Sequence, residues 1–125
     1  MPFVRIDLLR GKDAAYRSKL GEAVYDALTS IGAPKDDRFQ VIAEHEPGGL
    51  VFDRTYLGIE RGDNFVAVQI TLREGRTVEQ KQALYAAIVK NMVASVGMRP
   101  QDVFINLVEN AKENWSFGNG EAQYA

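Results

Sequence analysis

Apolar and polar residues alternate in two segments of the chain, and these segments resemble each other. Residues 4–12 read VRIDLLRGK, and residues 68–76 read VQITLREGR. Alternation with a period of two predicts a strand with one buried face, and a glycine followed by a cation predicts a turn at its end. We therefore predict two strands whose even-numbered residues face a core.

A helical pattern follows each of these strands. Asp13 is a suitable N-cap for the first helix, and Thr77 forms a capping box with Gln80 at the start of the second. Gly32 and Gly97 end the two patterns, where glycine is suited to the left-handed backbone conformation. The predicted apolar stripes comprise Tyr16, Leu20, Val24, Ala27, Leu28 and Ile31 in the first helix and Leu84, Ile88 and Met92 in the second.

A turn with proline and aspartate follows each helix and leads into a further strand. The turns are residues 34–36 and 100–102, and the strands are Arg38–His45 and Val103–Glu109. The offset between corresponding residues is about 65, which indicates a β-α-β unit used twice. Because each crossover is right-handed, we predict an α/β (α+β) fold with one four-stranded sheet and two helices on one face.

The predicted domain spans residues 1–125 and has four parts. They are a first unit at 2–46, a connecting ribbon at 47–64, a second unit at 65–110 and a C-terminal tail at 111–125. Turn signals on both sides of Val51–Ile59 predict a short extra strand or ribbon there. Trp115 and Phe117 predict a docked tail, either as cover for the core or as the apolar wall of a pocket. The bare second sheet face predicts oligomerisation.

Composition narrows the chemistry. The 125 residues carry a net charge of −2, which gives no electrostatic footprint for nucleic acid or an anionic membrane. There is no cysteine, which excludes disulfides and thiolate sites, and the single histidine, His45, argues against a histidine metal site. We expect His45 to be a strand-end or turn residue and not a catalyst. The absence of a signal peptide or membrane-spanning pattern predicts a cytoplasmic protein.

Pro2 follows the first methionine directly. If Met1 is removed, the chain begins with a secondary amine, and an α-amino group has a pKa of roughly 7.7–8.0 that burial or neighbouring cations lower. Such an amine can act as a general base or nucleophile. The alternative is that Pro2 simply starts an edge strand, where its missing N–H costs nothing.

Charged residues flank two of the predicted strands. Arg73 and Arg76 lie just before the second helix, where two guanidinium groups and the helix end can bind a carboxylate and lower the pKa of a nearby amine. The alternative is that both are solvated surface residues. Asp36 and Asp37 precede the second strand. One of them can cap the turn or pair with Arg38, or it can orient water or a substrate proton.

Together these features resemble the tautomerase superfamily, whose members consist of β-α-β units and use an N-terminal proline. The resemblance covers essentially the whole chain and is greatest to the malonate semialdehyde decarboxylase-like branch. It depends on Pro2 with its strand and on residues 32–40, 79–81, 107–110 and 114–118. The spacing of Arg73 and Arg76, with two residues between them, instead resembles the cis-3-chloroacrylic acid dehalogenase-like branch. That branch, however, has a tyrosine at the position of Asn106.

The resemblance implies a site, a reaction and an assembly. The expected site comprises Pro2, Asp37, Arg73 and Arg76 as catalytic residues and Arg73, Arg76, Asn106, Trp115 and Phe117 as substrate-binding residues. The first hypothesis is a cofactor-independent keto–enol tautomerase acting on a small carboxylate through neutral Pro2. The second is a decarboxylase or hydratase of a 3-oxo acid that uses cationic Pro2, and the third is a non-catalytic trimeric interaction module. A homotrimer is expected, as the bare sheet face also suggests.

Overall fold

The computed structural model describes all residues, 1–125. Its main elements in chain order are β1 (Phe3–Leu9), α1 (Ala14–Ser30), β2 (Phe39–His45), β3 (Val66–Arg73), α2 (Val78–Val96) and β4 (Val103–Asn110). These bounds confirm the four strands and two helices of the predicted double unit. No helix is both long enough and apolar enough to cross a membrane.

The four strands form one mixed sheet in the order β2-β1-β3-β4. β1 is parallel to β2, β3 is parallel to β4, and β1 runs antiparallel to β3. Each β-α-β unit therefore contributes a parallel pair, and the two pairs join through their first strands. One end of the sheet consequently holds the starts of β1 and β2 together with the ends of β3 and β4.

Both helices cover the same face of the sheet. Asp13 accepts a hydrogen bond from the backbone N–H of Tyr16 at 2.8 Å, and Thr77 and Gln80 form the predicted capping box. Gly97 ends α2 with a φ of 68°, as the sequence predicted. The core lies between the helices and the sheet, where the even-numbered residues of β1 and β3 face the helices. Its fully buried large side chains include Val4, Ile6, Leu20, Val24, Val66, Val68, Ile70, Leu72, Leu84, Ile88 and Met92.

Residues Val51–Ile59, predicted as a short strand or ribbon, form no strand. The connecting segment instead contains two single 3₁₀ turns, Pro47–Gly49 and Tyr56–Gly58. Leu57 has a φ of 61°, which a strand cannot accommodate. The guanidinium of Arg61 donates to three backbone carbonyls of the same segment at 3.1–3.2 Å, so these carbonyls are satisfied without a neighbouring strand.

The second face of the sheet carries no helix. Its large exposed apolar side chains are Phe3, Phe39, Val41, Phe104 and Val108. The same face carries polar side chains: Asp7 accepts a hydrogen bond from Arg5 at 2.8 Å and pairs with His45 at 2.6 Å. His45 is the last residue of β2, as predicted, and it lies at the end of the sheet opposite to Pro2. We refer to this surface as the bare face.

Candidate active site

The N-terminus is buried at the start of β1. Met1 and Pro2 are both buried, and Pro2 lines a small cleft with Val4 and with Leu28 of α1. The amine of Met1 lies 3.0 Å from Oδ2 of Asp37. Three covalent bonds separate this amine from the nitrogen of Pro2. Removal of Met1 would therefore create a secondary amine close to the same carboxylate.

Asp37 presents one oxygen with no partner. Its side chain is 15% exposed, Oδ2 faces the N-terminal amine, and the buried Oδ1 accepts no hydrogen bond from the protein. A buried carboxylate oxygen without a partner is costly, so such groups often have a functional explanation. Oδ1 can accept a hydrogen bond from a water or from a substrate hydroxyl. Asp36, by contrast, is exposed to solvent.

The two predicted arginines lie beside this end of the sheet. Phe3 pairs with Thr71, so the start of β1 lies two residues from Arg73, the last residue of β3. Arg76 is half-buried and donates to the carbonyl of Arg73 at 2.9 Å. Arg73 is exposed and forms no ion pair within the protomer, so its guanidinium is free to bind an anion.

An acidic residue on β4 accompanies these cations. Glu109 accepts a hydrogen bond from Nζ of Lys81 at 2.6 Å, which joins β4 to α2. This hydrogen bond is the main cause that holds the pKa of Glu109 below its ordinary value, and the charge of Arg76 acts in the same direction. Glu109 is therefore ionised at neutral pH and stays paired with Lys81.

The C-terminal tail crosses this end of the sheet, which confirms that it is docked. Trp115 donates from Nε1 to Oδ1 of Asn110, the last residue of β4, at 2.6 Å. The ring of Phe117 stacks on Trp115 with centroids 5.6 Å apart and lies 6.0 Å from the ring of Phe39 on β2. Since β4 and β2 are the two edge strands, the tail spans the sheet, about 14 Å at the usual strand spacing.

Asn110 and Phe39 belong to this region although the sequence did not single them out as site residues. Both fall within segments that carry the family resemblance. Asn110 pairs with Arg73 in the β3–β4 register, and Phe39 pairs with Phe3 in the β1–β2 register. Only the sheet register, which the sequence does not state, brings them to the N-terminal end.

The protomer does not bring Asn106 to this region, contrary to the expectation for a substrate-binding residue. Asn106 is four residues before Asn110 on β4, so it lies about 13 Å from Asn110 and from this end of the sheet. Its side chain lies on the bare face and accepts a hydrogen bond from Gln69 at 3.0 Å. The other predicted site residues, Pro2, Asp37, Arg73, Arg76, Trp115 and Phe117, all occupy the N-terminal end of the sheet.

This arrangement combines four chemical elements at one end of the sheet. They are a buried N-terminal amine, a carboxylate with an unpaired oxygen, an arginine free to bind an anion and an aromatic cover. An amine that exchanges a proton near a bound anion can catalyse proton transfer without a metal ligand set. No cluster of three or more histidine, cysteine, aspartate or glutamate residues suitable for a metal ion occurs in the chain.

Two family models match the chain, and each is described as a tautomerase enzyme. One matches residues 37–118 and the other residues 2–58. The probable tautomerase YusQ of Bacillus subtilis (strain 168) is 42% identical over 124 residues, which cover 98% of each chain.

Two solved structures show the same fold. A malonate semialdehyde decarboxylase, FG41, inhibited by 3-bromopropiolate is 38% identical with a TM-score of 0.91, over 98% of this chain and 93% of that one. A fused 4-OT that forms a symmetric trimer is 30% identical with a TM-score of 0.78, over 98% of this chain and 97% of that one.

Proposed function

Because this chain belongs to the tautomerase family of enzymes, we propose that it is a cofactor-independent keto–enol tautomerase that acts on a small 2-keto or enol carboxylate. The observation that carries this proposal is the position of Pro2. It is buried at the start of β1, beside Asp37, and at the end of the sheet that holds Arg73 and the aromatic tail. Membership of an enzyme family supports this reading over a non-catalytic trimeric module.

In this mechanism Pro2 acts as a general base after Met1 has been removed. The neutral nitrogen takes a proton from the carbon beside the carbonyl, or from the enol hydroxyl, and returns it at the other position. Arg73 and Arg76 bind the substrate carboxylate and stabilise the negative charge of the enolate. Their positive charge also favours the neutral form of the amine. No atom is gained or lost in the overall reaction.

The remaining site residues control water and protons. Oδ1 of Asp37 accepts a hydrogen bond from a water or from the substrate hydroxyl, and thereby orients it. Trp115 and Phe117 cover the reacting atoms, which strengthens the electrostatic contribution of the arginines because water is excluded.

A second function, decarboxylation or hydration of a 3-oxo acid such as malonate semialdehyde, is favoured by one specific observation. Oδ2 of Asp37 lies 3.0 Å from the N-terminal amine, so a cationic amine at this position would have a carboxylate partner. A cationic Pro2 would act as an acid or electrostatic stabiliser, and Asp37 would orient the water. The similarity to a malonate semialdehyde decarboxylase also supports this second candidate.

We further propose that the chain forms a homotrimer. The bare face exposes five large apolar side chains, among them Phe39 at 50% and Phe104 at 49%, and such a surface is typical of an interface. The fused 4-OT to which the chain is similar is a trimer. Light scattering should give a mass of about three times 13.9 kDa, whereas a monomer mass would refute the trimer.

The main experiment compares two reactions in wild type and Pro2→Ala, after intact mass spectrometry has shown whether Met1 is removed. Ketonisation of phenylenolpyruvate tests the tautomerase, and decarboxylation of malonate semialdehyde tests the alternative. We expect ketonisation to be the faster reaction and to fall strongly in Pro2→Ala. A retained Met1 would overturn the proline mechanism, because the nitrogen of an amide is not basic. Equal activity in Pro2→Ala would also overturn it, because the secondary amine of proline would then not be needed.

A further inference from the structure

The residues on both sides of Asp37 are attached to one turn of α1. Two residues before it, the carbonyl of Lys35 accepts a hydrogen bond from the hydroxyl of Tyr25. Directly after it, the guanidinium of Arg38 lies 4.7 Å from the centre of the Tyr25 ring and donates to Glu22 at 3.0 Å. The backbone that carries Asp37 is therefore held from the helix at two points.

A third attachment explains a glycine in the middle of α1. Gln40 donates from Nε2 to the carbonyl of Gly21 at 2.9 Å, and its Oε1 accepts from Arg38 at 3.3 Å. A Cβ atom at residue 21 would lie 2.6 Å from Oε1 of Gln40, closer than side chains approach. Glycine destabilises a helix interior relative to alanine, so its presence here is consistent with the need for this close approach.

Asp37 has few contacts of its own. Its backbone N–H donates to the carbonyl of Pro34 at 3.3 Å, its Oδ2 faces the N-terminal amine, and its Oδ1 has no partner. No neighbouring side chain donates to the carboxylate. The direction of the carboxylate consequently depends on the backbone on either side of it.

We propose that Tyr25 and Arg38 are positioning residues that hold residues 35–38 so that the carboxylate of Asp37 faces the N-terminal amine. The expected effect on catalysis rests on the proposed function, but the effect on the amine does not. The other charged groups at this end of the sheet are Arg73, Glu74, Arg76, Lys81 and Glu109 on the β3 and β4 side and Asp36 beside Asp37. None of them forms a hydrogen bond or an ion pair with Tyr25.

The test uses full-length variants of two residues, with Asp37→Asn as the reference. Tyr25→Phe removes the hydroxyl but keeps the ring under the guanidinium, and Arg38→Lys keeps the charge but loses the planar fork. Tyr85→Phe is the matched control, because Tyr85 is a half-buried tyrosine of α2 whose hydroxyl makes no hydrogen bond. Nitrogen-15 NMR of protein labelled at proline and methionine follows the titration of the N-terminal amine.

Asp37→Asn should move the titration midpoint of the amine to lower pH, because it removes a carboxylate that favours the charged form. Tyr25→Phe and Arg38→Lys should move it in the same direction by part of that amount. They should also lower kcat by roughly tenfold with little change in KM, since a small misplacement of a reacting group is costly in rate. Tyr85→Phe should change neither quantity.

The outcomes separate this inference from the proposed function. If Tyr25→Phe and Arg38→Lys lower only the melting temperature and leave the midpoint at its wild-type value, the positioning role is wrong. If the midpoint moves as expected while Pro2→Ala retains full activity, the positioning role stands and the proline mechanism fails.

Discussion

The carboxylate of Asp37 and the amine of Met1 form an ion pair of 3.0 Å at the buried start of the sheet. Arg73, the last residue of β3, and Arg76 just after it lie at the same end of the sheet, on the other side of β1. The proposed tautomerase uses a neutral Pro2 as a base, whereas the proposed decarboxylase uses a cationic Pro2. The two proposed functions therefore require different protonation states of Pro2, which makes the pH dependence of the reaction informative.

The first prediction concerns the pH profile of the Met1-free enzyme. A neutral Pro2 base requires kcat/KM for ketonisation to rise with pH through the titration of the amine and then to level off. A cationic Pro2 requires kcat/KM for decarboxylation to fall over the same range. Measurement of both profiles beside the NMR titration checks this. A ketonisation rate that falls as the amine loses its proton would contradict the base mechanism.

The second prediction concerns the anion site. Arg73→Gln and Arg76→Gln should each lower kcat/KM by roughly 10- to 100-fold, because a hydrogen bond to a charged group contributes about 1.5–3 kcal/mol. Lys12→Gln is a suitable control, since Lys12 occupies the corresponding turn of the first β-α-β unit at the other end of the sheet. Steady-state kinetics on a carboxylate substrate measure kcat/KM for all three variants. An equal decrease of kcat/KM in all three would exclude a specific anion site.

The third prediction concerns the docked tail. Asn110→Ala removes the acceptor for Trp115 and should lower the free energy of unfolding by about 1 kcal/mol. It should also raise hydrogen exchange in residues 111–125 and increase KM. Asn106→Ala removes a comparable side-chain hydrogen bond, from Gln69 on the bare face, and should leave hydrogen exchange in the tail unchanged. The same exchange in both variants would show that Asn110 does not hold the tail.

The sequence predicted the fold well because its signals are local. Alternation, the N-cap at Asp13, the capping box at Thr77 and the glycine at Gly97 each depend on a few neighbouring residues, and the structure confirms all of them. The strand or ribbon expected at Val51–Ile59 does not form a strand. The positive φ of Leu57 and the hydrogen bonds that Arg61 donates to this segment depend on contacts that no periodic pattern encodes.

The candidate site could be predicted only in part, for a related reason. The second position in the chain indicated Pro2, the family resemblance selected Asp37 from the Asp36–Asp37 pair, and the structure brings the N-terminus and Asp37 together. The roles of Asn110 and Phe39 depend on the sheet register and on the path of the tail across two edge strands. Asn106 was expected in the site from its position in a family motif. The register instead places it four residues before Asn110, near the middle of β4.

The fourth prediction concerns the connecting segment. Asp102 is a buried carboxylate that accepts a hydrogen bond from the backbone N–H of Gly62 at 2.7 Å. Asp102→Ala leaves that half-buried N–H without its partner and should lower the free energy of unfolding by about 1–3 kcal/mol. Asp63→Asn, which changes an exposed ion pair with Arg54, should have a much smaller effect. Denaturant unfolding measures both, and equal losses would contradict a specific role for Asp102.

The last prediction concerns the pH dependence of stability on the bare face. The hydrogen bond from Arg5 is the main cause that lowers the pKa of Asp7 below its ordinary value of 3.8, and the hydrogen bond from His45 adds to it. A carboxyl group whose pKa is lowered by folding stabilises the protein above its unfolded pKa, and this contribution is lost as the pH falls through the folded pKa.

Asp7→Asn should therefore lower the melting temperature at pH 7 but bring it close to the wild-type value once the pH is below both pKa values of Asp7. Asp26→Asn serves as the control, because Asp26 is an exposed residue of α1 without an ion pair. Thermal unfolding of wild type and both variants across the acid range makes the comparison. A difference between wild type and Asp7→Asn that persists unchanged at the acid end would show that packing, and not the charge of Asp7, is responsible.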